Sequence, residues 1–187
     1  EHPRVHEFVE KTCRKAGIPK PTLYYSPEPT PNAFAFGRSK KTAGIAVNAG
    51  LLNMLSREEV EAVLGHEIGH LKHSDVAVMT LASMVPMLIY FLVIFFGSSG
   101  ERRGNIWLVW IGAYIAQFFS SLIVLYLGRA RESYADVFSA VVTGKPQYLR
   151  TGLAKISYGF PLLSATPQQH QAMRAFYIAD PISSAEI

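Results

Sequence analysis

The order of apolar and polar positions divides this 187-residue chain into stretches that read as a mixed water-soluble fold and two that do not. From Pro3 to Ala16, residues Val5, Phe8, Val9, Thr12, Cys13 and Ala16 recur at helical spacing, and Gly17 and Pro19 stop the helix. Thr22–Tyr25 reads as a short strand, followed by a loop carrying Pro27, Pro29 and Pro31. Asn32–Phe36 and Ala43–Val47 read as two further strands joined by a polar turn at Gly37–Lys41. Ser56 with Glu59 three residues later forms a capping box, which opens a helix bearing Val60, Val63, Leu64 and Ile68.

The pattern then changes. No charged residue occurs from Val76 to Gly97, nor from Ile106 to Gly128. Each run is long enough, at about 1.5 Å per residue, to cross a hydrocarbon core of about 30 Å. A domain this small has too little else to cover two such helices as core elements, so they are predicted to span a membrane. Pro86 inside the first run is tolerated in membrane helices, with a kink expected there. The short connector Ser98–Asn105 predicts a hairpin, which leaves everything before Val76 and after Gly128 on one side. Arg57, Lys72, Arg129, Arg131 and Lys145 on that side outnumber Arg102 and Arg103 in the connector, which predicts a multi-pass protein of the cell membrane with its main domain in the cytoplasm. Arg129–Val142 continues as helix, Pro146–Tyr158 forms another, and the tail after Phe160 is weakly patterned. The expected organisation is therefore 1–75, a membrane hairpin over 76–128 (spans 76–97 and 106–128), and 129–187.

Composition sharpens this picture in three places. Charged residues make up 17% of the chain and hydrophobic ones 49%, against roughly 25% charged in soluble proteins. The net charge of +4 comes without a dense Lys/Arg run interleaved with aromatics, which favours a lipid surface over nucleic acid as partner. Cys13 is the sole cysteine, so no intrachain disulfide forms and a reducing compartment is expected. A chain that opens at Glu1 without Met or leader is expected to be a piece of a longer protein.

The candidate chemistry lies in His66-Glu67-Ile68-Gly69-His70. On a helix, residues four apart share a face, so both imidazoles can point at one ion, with Glu67 beside them as proton acceptor. The bland alternative is a helix with two solvated histidines. A catalytic zinc site needs a third protein ligand and an open position. His73 lies about 10.5 Å along the axis from His66, too far for the three rings to meet, and is read as a surface or interfacial histidine. The metzincin spacing would need glycine at 73 and histidine at 76, where the chain has His73 and Val76. Glu132, in Arg131-Glu132-Ser133-Tyr134-Ala135-Asp136, is the better ligand if the hairpin returns the chain beside the His66 helix. Asp136, four residues on, then accepts the free ring N–H of a ligating histidine. The alternative for these acids is ordinary ion pairing with Arg129 and Arg131.

These elements together resemble the M48 peptidases, and most closely the HtpX-type membrane proteases associated with heat shock and membrane-protein quality control. The matching segments are Asn32-Ala33-Phe34-Ala35-Phe36-Gly37, the run from Glu61 to His70, Asp75, the hydrophobic hairpin, and Arg131 to Asp136. The resemblance covers Glu1 to about Ile156. It implies an α+β, mainly helical, zincin-like (gluzincin) catalytic domain with an inserted two-helix membrane hairpin. It implies one Zn2+ per chain held by His66, His70 and Glu132, with Glu67 as general base. The substrate would be an extended polypeptide pairing with the edge strand at Asn32, Ala33, Phe34 and Ala35. HtpX-type proteins usually carry two more membrane helices before this region and a His-Pro element near the C-terminus. Here His170 is followed by glutamine and the chain ends through Ala179-Asp180-Pro181 without that element, so no residue is assigned to stabilise an oxyanion; Tyr134 is one conceivable donor. The competing readings are a prenyl-protein-processing protease of the same family and a non-catalytic zinc-binding membrane protein. A channel is disfavoured because neither span carries a charge. The oligomeric state is open.

Overall fold

The computed structural model describes residues 3–37, 39–98 and 106–163. They form two compact units, one built from the chain up to Ser74 and from Ser133 onward, the other from Asp75–Glu132. The fold is mainly helical with one three-stranded sheet.

In the first unit, α1 spans Pro3–Ala16 and buries Val9, Thr12 and Cys13. Gly17, at φ 69°, ends it as the spacing predicts. The N–H of Ile18 closes back on the carbonyl of Cys13 at 3.1 Å, a turn that only a residue without Cβ adopts cheaply. The strands are β1 (Thr22–Ser26), β2 (Ala33–Phe36) and β3 (Gly44–Asn48). Each lies within one residue of its predicted position. The sheet order is β1-β3-β2, with β1 parallel and β2 antiparallel to β3, so β1 and β2 are both edges. Leu23, Ala33, Ala35, Ile45 and Val47 point to the core. Tyr24, Phe34, Phe36, Gly44 and Ala46 share the opposite face. The predicted turn at Gly37–Lys41 includes Arg38, which lies outside the described residues.

A short helix, α2 (Ala49–Met54), follows β3 and is absent from the sequence reading, since one and a half turns carry too few positions to show a period. Helix α3 (Arg57–His73) is the core of this unit: Val60, Ala62, Val63, Leu64, Ile68 and Leu71 are all buried. Its capping box forms as predicted, with the Ser56 hydroxyl accepting from the Glu59 N–H at 3.3 Å and the Ser56 N–H donating to Glu59 Oε2 at 2.8 Å. Lys155 from α6 (Gln147–Leu163) donates to the same carboxylate oxygen at 2.8 Å, tying the start of α3 to that helix. Burial pushes the Glu59 carboxyl upward, but Lys155, the Ser56 N–H and Thr151 together hold it below its ordinary value. Helix α6 begins within one residue of the expected position. The weakly patterned tail falls largely on residues 164–187, outside those described.

The second unit holds α4 (Asp75–Ser98) and most of α5 (Ile106–Thr143). Gly97 takes the Val109 side chain, and the Tyr90 ring meets Trp110 and Tyr114 at 6.3 and 5.7 Å, so the two helices touch over this stretch. Both are long and apolar enough to cross a membrane, and only 6% of each most apolar window is buried. Core helices of a soluble protein bury most of such a stretch; these expose it. Pro86 lies inside α4, which continues through it. The connector Ser98–Asn105, with Arg102 and Arg103, falls almost wholly outside the described residues.

Candidate metal centre

The site begins with how closely two helices approach. Gly65 and Gly69 lie one turn apart on α3, and Ala135 and Ser139 one turn apart on α5. A Cβ on Gly69 would sit 3.0 Å from the Ala135 backbone, and one on Gly65 would sit 3.1 Å from Val142 and 3.3 Å from the Ser139 hydroxyl. Small residues on both faces let the backbones come together. The buried Ser139 hydroxyl then donates to the Ala62 carbonyl at 2.6 Å, fixing the rotation of one helix against the other.

That approach brings Asp136 to His66: its Oδ1 lies 2.9 Å from His66 Nδ1. His66 is buried, whereas the Asp136 side chain remains 54% exposed. The two imidazoles face each other through their outer nitrogens, His66 Nε2 and His70 Nε2 being 3.0 Å apart with the rings nearly perpendicular. Glu132, on the residue before Ser133 in the same helix, completes a group with His66 and His70 whose ligand atoms all lie within 4.8 Å of one another. Its neighbour Arg131 pairs with Asp75, the first residue of α4, and both are largely buried.

The donor set fits a catalytic zinc ion. Two nitrogens and one carboxylate oxygen are the combination such sites use, and ligands about 2.0–2.1 Å from a tetrahedral ion are a little over 3 Å apart, close to the observed nitrogen separation. A carboxylate at His66 Nδ1 favours the tautomer with its proton there, which leaves the lone pair on Nε2, the nitrogen that faces His70 Nε2. Of the three, His66 is buried and Glu132 exposed. His73 takes no part in this group; it is exposed on α3, and its ring lies 6.0 Å from that of Tyr134. Tyr134 is itself exposed.

Glu67 is buried on α3, and its Oε2 accepts the backbone N–H of Ala35 at 2.7 Å. The register explains why that N–H is available. The Asn48 N–H donates to the Asn32 carbonyl at 2.9 Å, which makes Asn32/Asn48 a hydrogen-bonded pair of the antiparallel ladder. Pairs then alternate, so Phe34 and Phe36 bond to β3 while Ala33 and Ala35 turn their N–H and C=O groups to the free edge. The link from Glu67 to this edge is missing from the sequence reading. It joins residues 32 apart through a backbone atom, and no side-chain pattern reports it.

Comparison with known proteins identifies the family of the chain. The family model described as Peptidase family M48 matches residues 1–183. A protease HtpX homologue of Methanothermobacter thermautotrophicus is 47% identical over 83% of this chain and 60% of its own length. One of Sulfurovum sp. is 36% identical over 98% of the chain and 67% of its own length. One of Pyrococcus furiosus is 42% identical over 83% of the chain and 57% of its own length. The chain thus spans about 60% of the length of the first of these relatives. No solved structure matches it. By the family model and by these relatives, the chain belongs to peptidase family M48.

Proposed function

We propose that this chain is the catalytic part of a membrane-anchored zinc endopeptidase with a zincin-like domain, acting in the quality control of misfolded or damaged membrane proteins. The observation that carries this reading is the convergence of His66, His70 and Glu132 within 4.8 Å, next to a buried Glu67 on the same helix. The family membership and the HtpX names of the relatives support the protease assignment and its stress role. The two exposed apolar helices support anchorage through a hairpin, with spans close to 76–97 and 106–128 between catalytic segments 1–75 and 129–187. Basic residues flanking the spans favour the cytoplasmic side for the catalytic segments.

His66, His70 and Glu132 would hold the ion, and Asp136 would orient His66. Bound there, zinc would supply Lewis acidity, polarising a peptide carbonyl and making water acidic enough to give up a proton near neutral pH. Glu67 Oε takes the proton of the attacking water and passes it to the leaving nitrogen. The outer edge of β2 at Asn32–Ala35 would align an extended substrate through the outward backbone groups of Ala33 and the carbonyl of Ala35, the Ala35 N–H being held by Glu67, which favours endopeptidase over exopeptidase action.

The test compares wild type, Glu67→Gln and Glu132→Ala, purified in detergent, for bound zinc and for cleavage of casein. One zinc per chain in the wild type and in Glu67→Gln, with cleavage only in the wild type and zinc much weakened in Glu132→Ala, is the expected result. Substantial cleavage by zinc-loaded Glu67→Gln removes Glu67 from its role. Stoichiometric zinc without cleavage favours the non-catalytic reading.

A further inference from the structure

The face of the sheet turned away from the core carries an aromatic group that the chemistry above does not use. In the register of the sheet, Phe34, Ala46 and Tyr24 form one row, and Phe36, Gly44 and Thr22 the next. The Phe36 ring lies 5.4 Å from Tyr24 and 5.9 Å from Phe34. The Phe36 and Tyr24 rings meet because the central strand has no side chain at Gly44 and only a methyl at Ala46. A Cβ on Gly44 would stand 2.6 Å from Phe36 Cζ and 2.9 Å from Tyr24 Cε2, so glycine here admits both rings across β3. Tyr24 and Phe36 remain 51% and 38% exposed. Exposed aromatics gathered over a glycine and an alanine make a shallow apolar platform, and apolar surface of this kind is kept exposed where something is bound.

Its position indicates what is bound. The platform begins on β2, whose opposite edge groups run to Glu67: the Ala35 N–H, between Phe34 and Phe36 in sequence, is the one that Glu67 Oε2 accepts. A peptide strand added to the free edge of β2 continues the pleat of the sheet. Side chains opposite Phe34 and Phe36 then fall on the outer face, within cross-strand contact of the rings. The one between them, opposite Ala35, turns to the Glu67 side. The platform is therefore continuous with the edge that would hold the scissile segment.

We propose that Phe34 and Phe36, buttressed by Tyr24 over Gly44, form a specificity platform that selects extended polypeptide carrying large apolar side chains at alternate positions. The proposal rests on the reading of β2 and Glu67 as protease machinery and adds the substrate class. Segments with apolar residues at period two are those that a folded sheet hides and an unfolded chain exposes.

The test walks a single phenylalanine along a short fluorogenic peptide of otherwise small polar residues, cleaved by the zinc-loaded full chain in detergent. The gain in kcat/KM is expected to be about tenfold at two positions separated by one residue, absent at the position between them, and carried by KM. Phe36→Ser should cut the gain at one of these positions to about twofold, and Phe36→Leu should retain most of it. If Phe36→Ser does not fold, the period-two pattern of the wild type decides alone. Binding is followed separately, with the same peptides, by the emission of Phe36→Trp in the Glu67→Gln background with Trp107→Phe and Trp110→Phe, which leaves position 36 as the sole tryptophan. Cleavage with no alternating preference overturns the platform and leaves the protease reading standing. Alternating preference in binding without cleavage by the wild type supports the platform and sinks the protease reading. Emission that ignores peptides but is quenched by brominated phosphatidylcholine vesicles would assign the patch to lipid and overturn the proposal.

Discussion

Replacing Gly69 by alanine separates two opposing effects whose sizes the structure sets. In the interior of a helix, alanine is favoured over glycine by about 1 kcal/mol. Against that gain, the new Cβ would meet the Ala135 Cα at 3.0 Å and the Ala135 Cβ and carbonyl oxygen at 3.4 Å. The nearest obstacle is backbone rather than the end of a flexible side chain, so a whole helix segment must move by a few tenths of an ångström. Overpacking of this kind costs about 1–3 kcal/mol, which leaves Gly69→Ala destabilised by roughly 0–2 kcal/mol. Gly152 on α6 is the matched control. A Cβ there meets Glu59 Cβ at 3.4 Å and Leu55 and Val63 at 3.7 Å, ordinary contact distances, so Gly152→Ala should keep its gain of about 1 kcal/mol.

For a chain of this length 1 kcal/mol moves the melting temperature by roughly 2–4 °C. In detergent, Gly152→Ala should melt a few degrees higher than wild type and Gly69→Ala at the same temperature or several degrees lower. The displaced segment also carries Asp136, so Gly69→Ala should weaken zinc binding in a chelator competition while Gly152→Ala leaves it alone. If both variants melt higher by the same amount, the close approach of α3 and α5 is not what those glycines provide, and the account of how Asp136 reaches His66 fails with it.

Asp136→Asn should lower zinc affinity by about 10–100-fold with little change in melting temperature, because it alters the partner of a ligating histidine on a half-exposed side chain; unchanged affinity would remove Asp136 from that role. Glu59, whose folded pKa is depressed below its ordinary value of 4.5, adds stability that is present above that value and is lost as pH falls through the folded pKa. The melting-temperature gap between wild type and Glu59→Gln should therefore narrow on acidification from pH 5 to about pH 3, and a gap constant with pH would refute the assignment. Burial pushes the Cys13 thiol up to about 11, so it stays protonated and shielded near neutral pH. Iodoacetamide should label it only after denaturation, and rapid labelling of the native protein would contradict its place in the core.

The elements of this chain were legible in its sequence wherever a local pattern sufficed. The capping box at Ser56 and Glu59, the stop at Gly17 and the three short strands depend on neighbours within a few residues and lie within a residue of their expected places, while the two uncharged runs fall on α4 and on α5, which continues to Thr143. The nomination of His66, Glu67 and His70 needed only the helical repeat. Glu132 and Asp136 follow from the sequence only if the hairpin returns the chain to the side it left, and their approach to the histidines is decided by packing. Gly65 and Gly69 against Ala135 and Ser139 set a helix separation that neither segment encodes alone. The Ala35 N–H reaches Glu67 because pairing with β3 leaves it on the free edge, and the rings of Tyr24 and Phe36 meet because β3 runs between β1 and β2 with glycine beneath them. Sequence periodicity records which face a residue occupies. The strand order and the distance between faces arise only when distant segments compete for the same core, and in this protein those two quantities assemble the site.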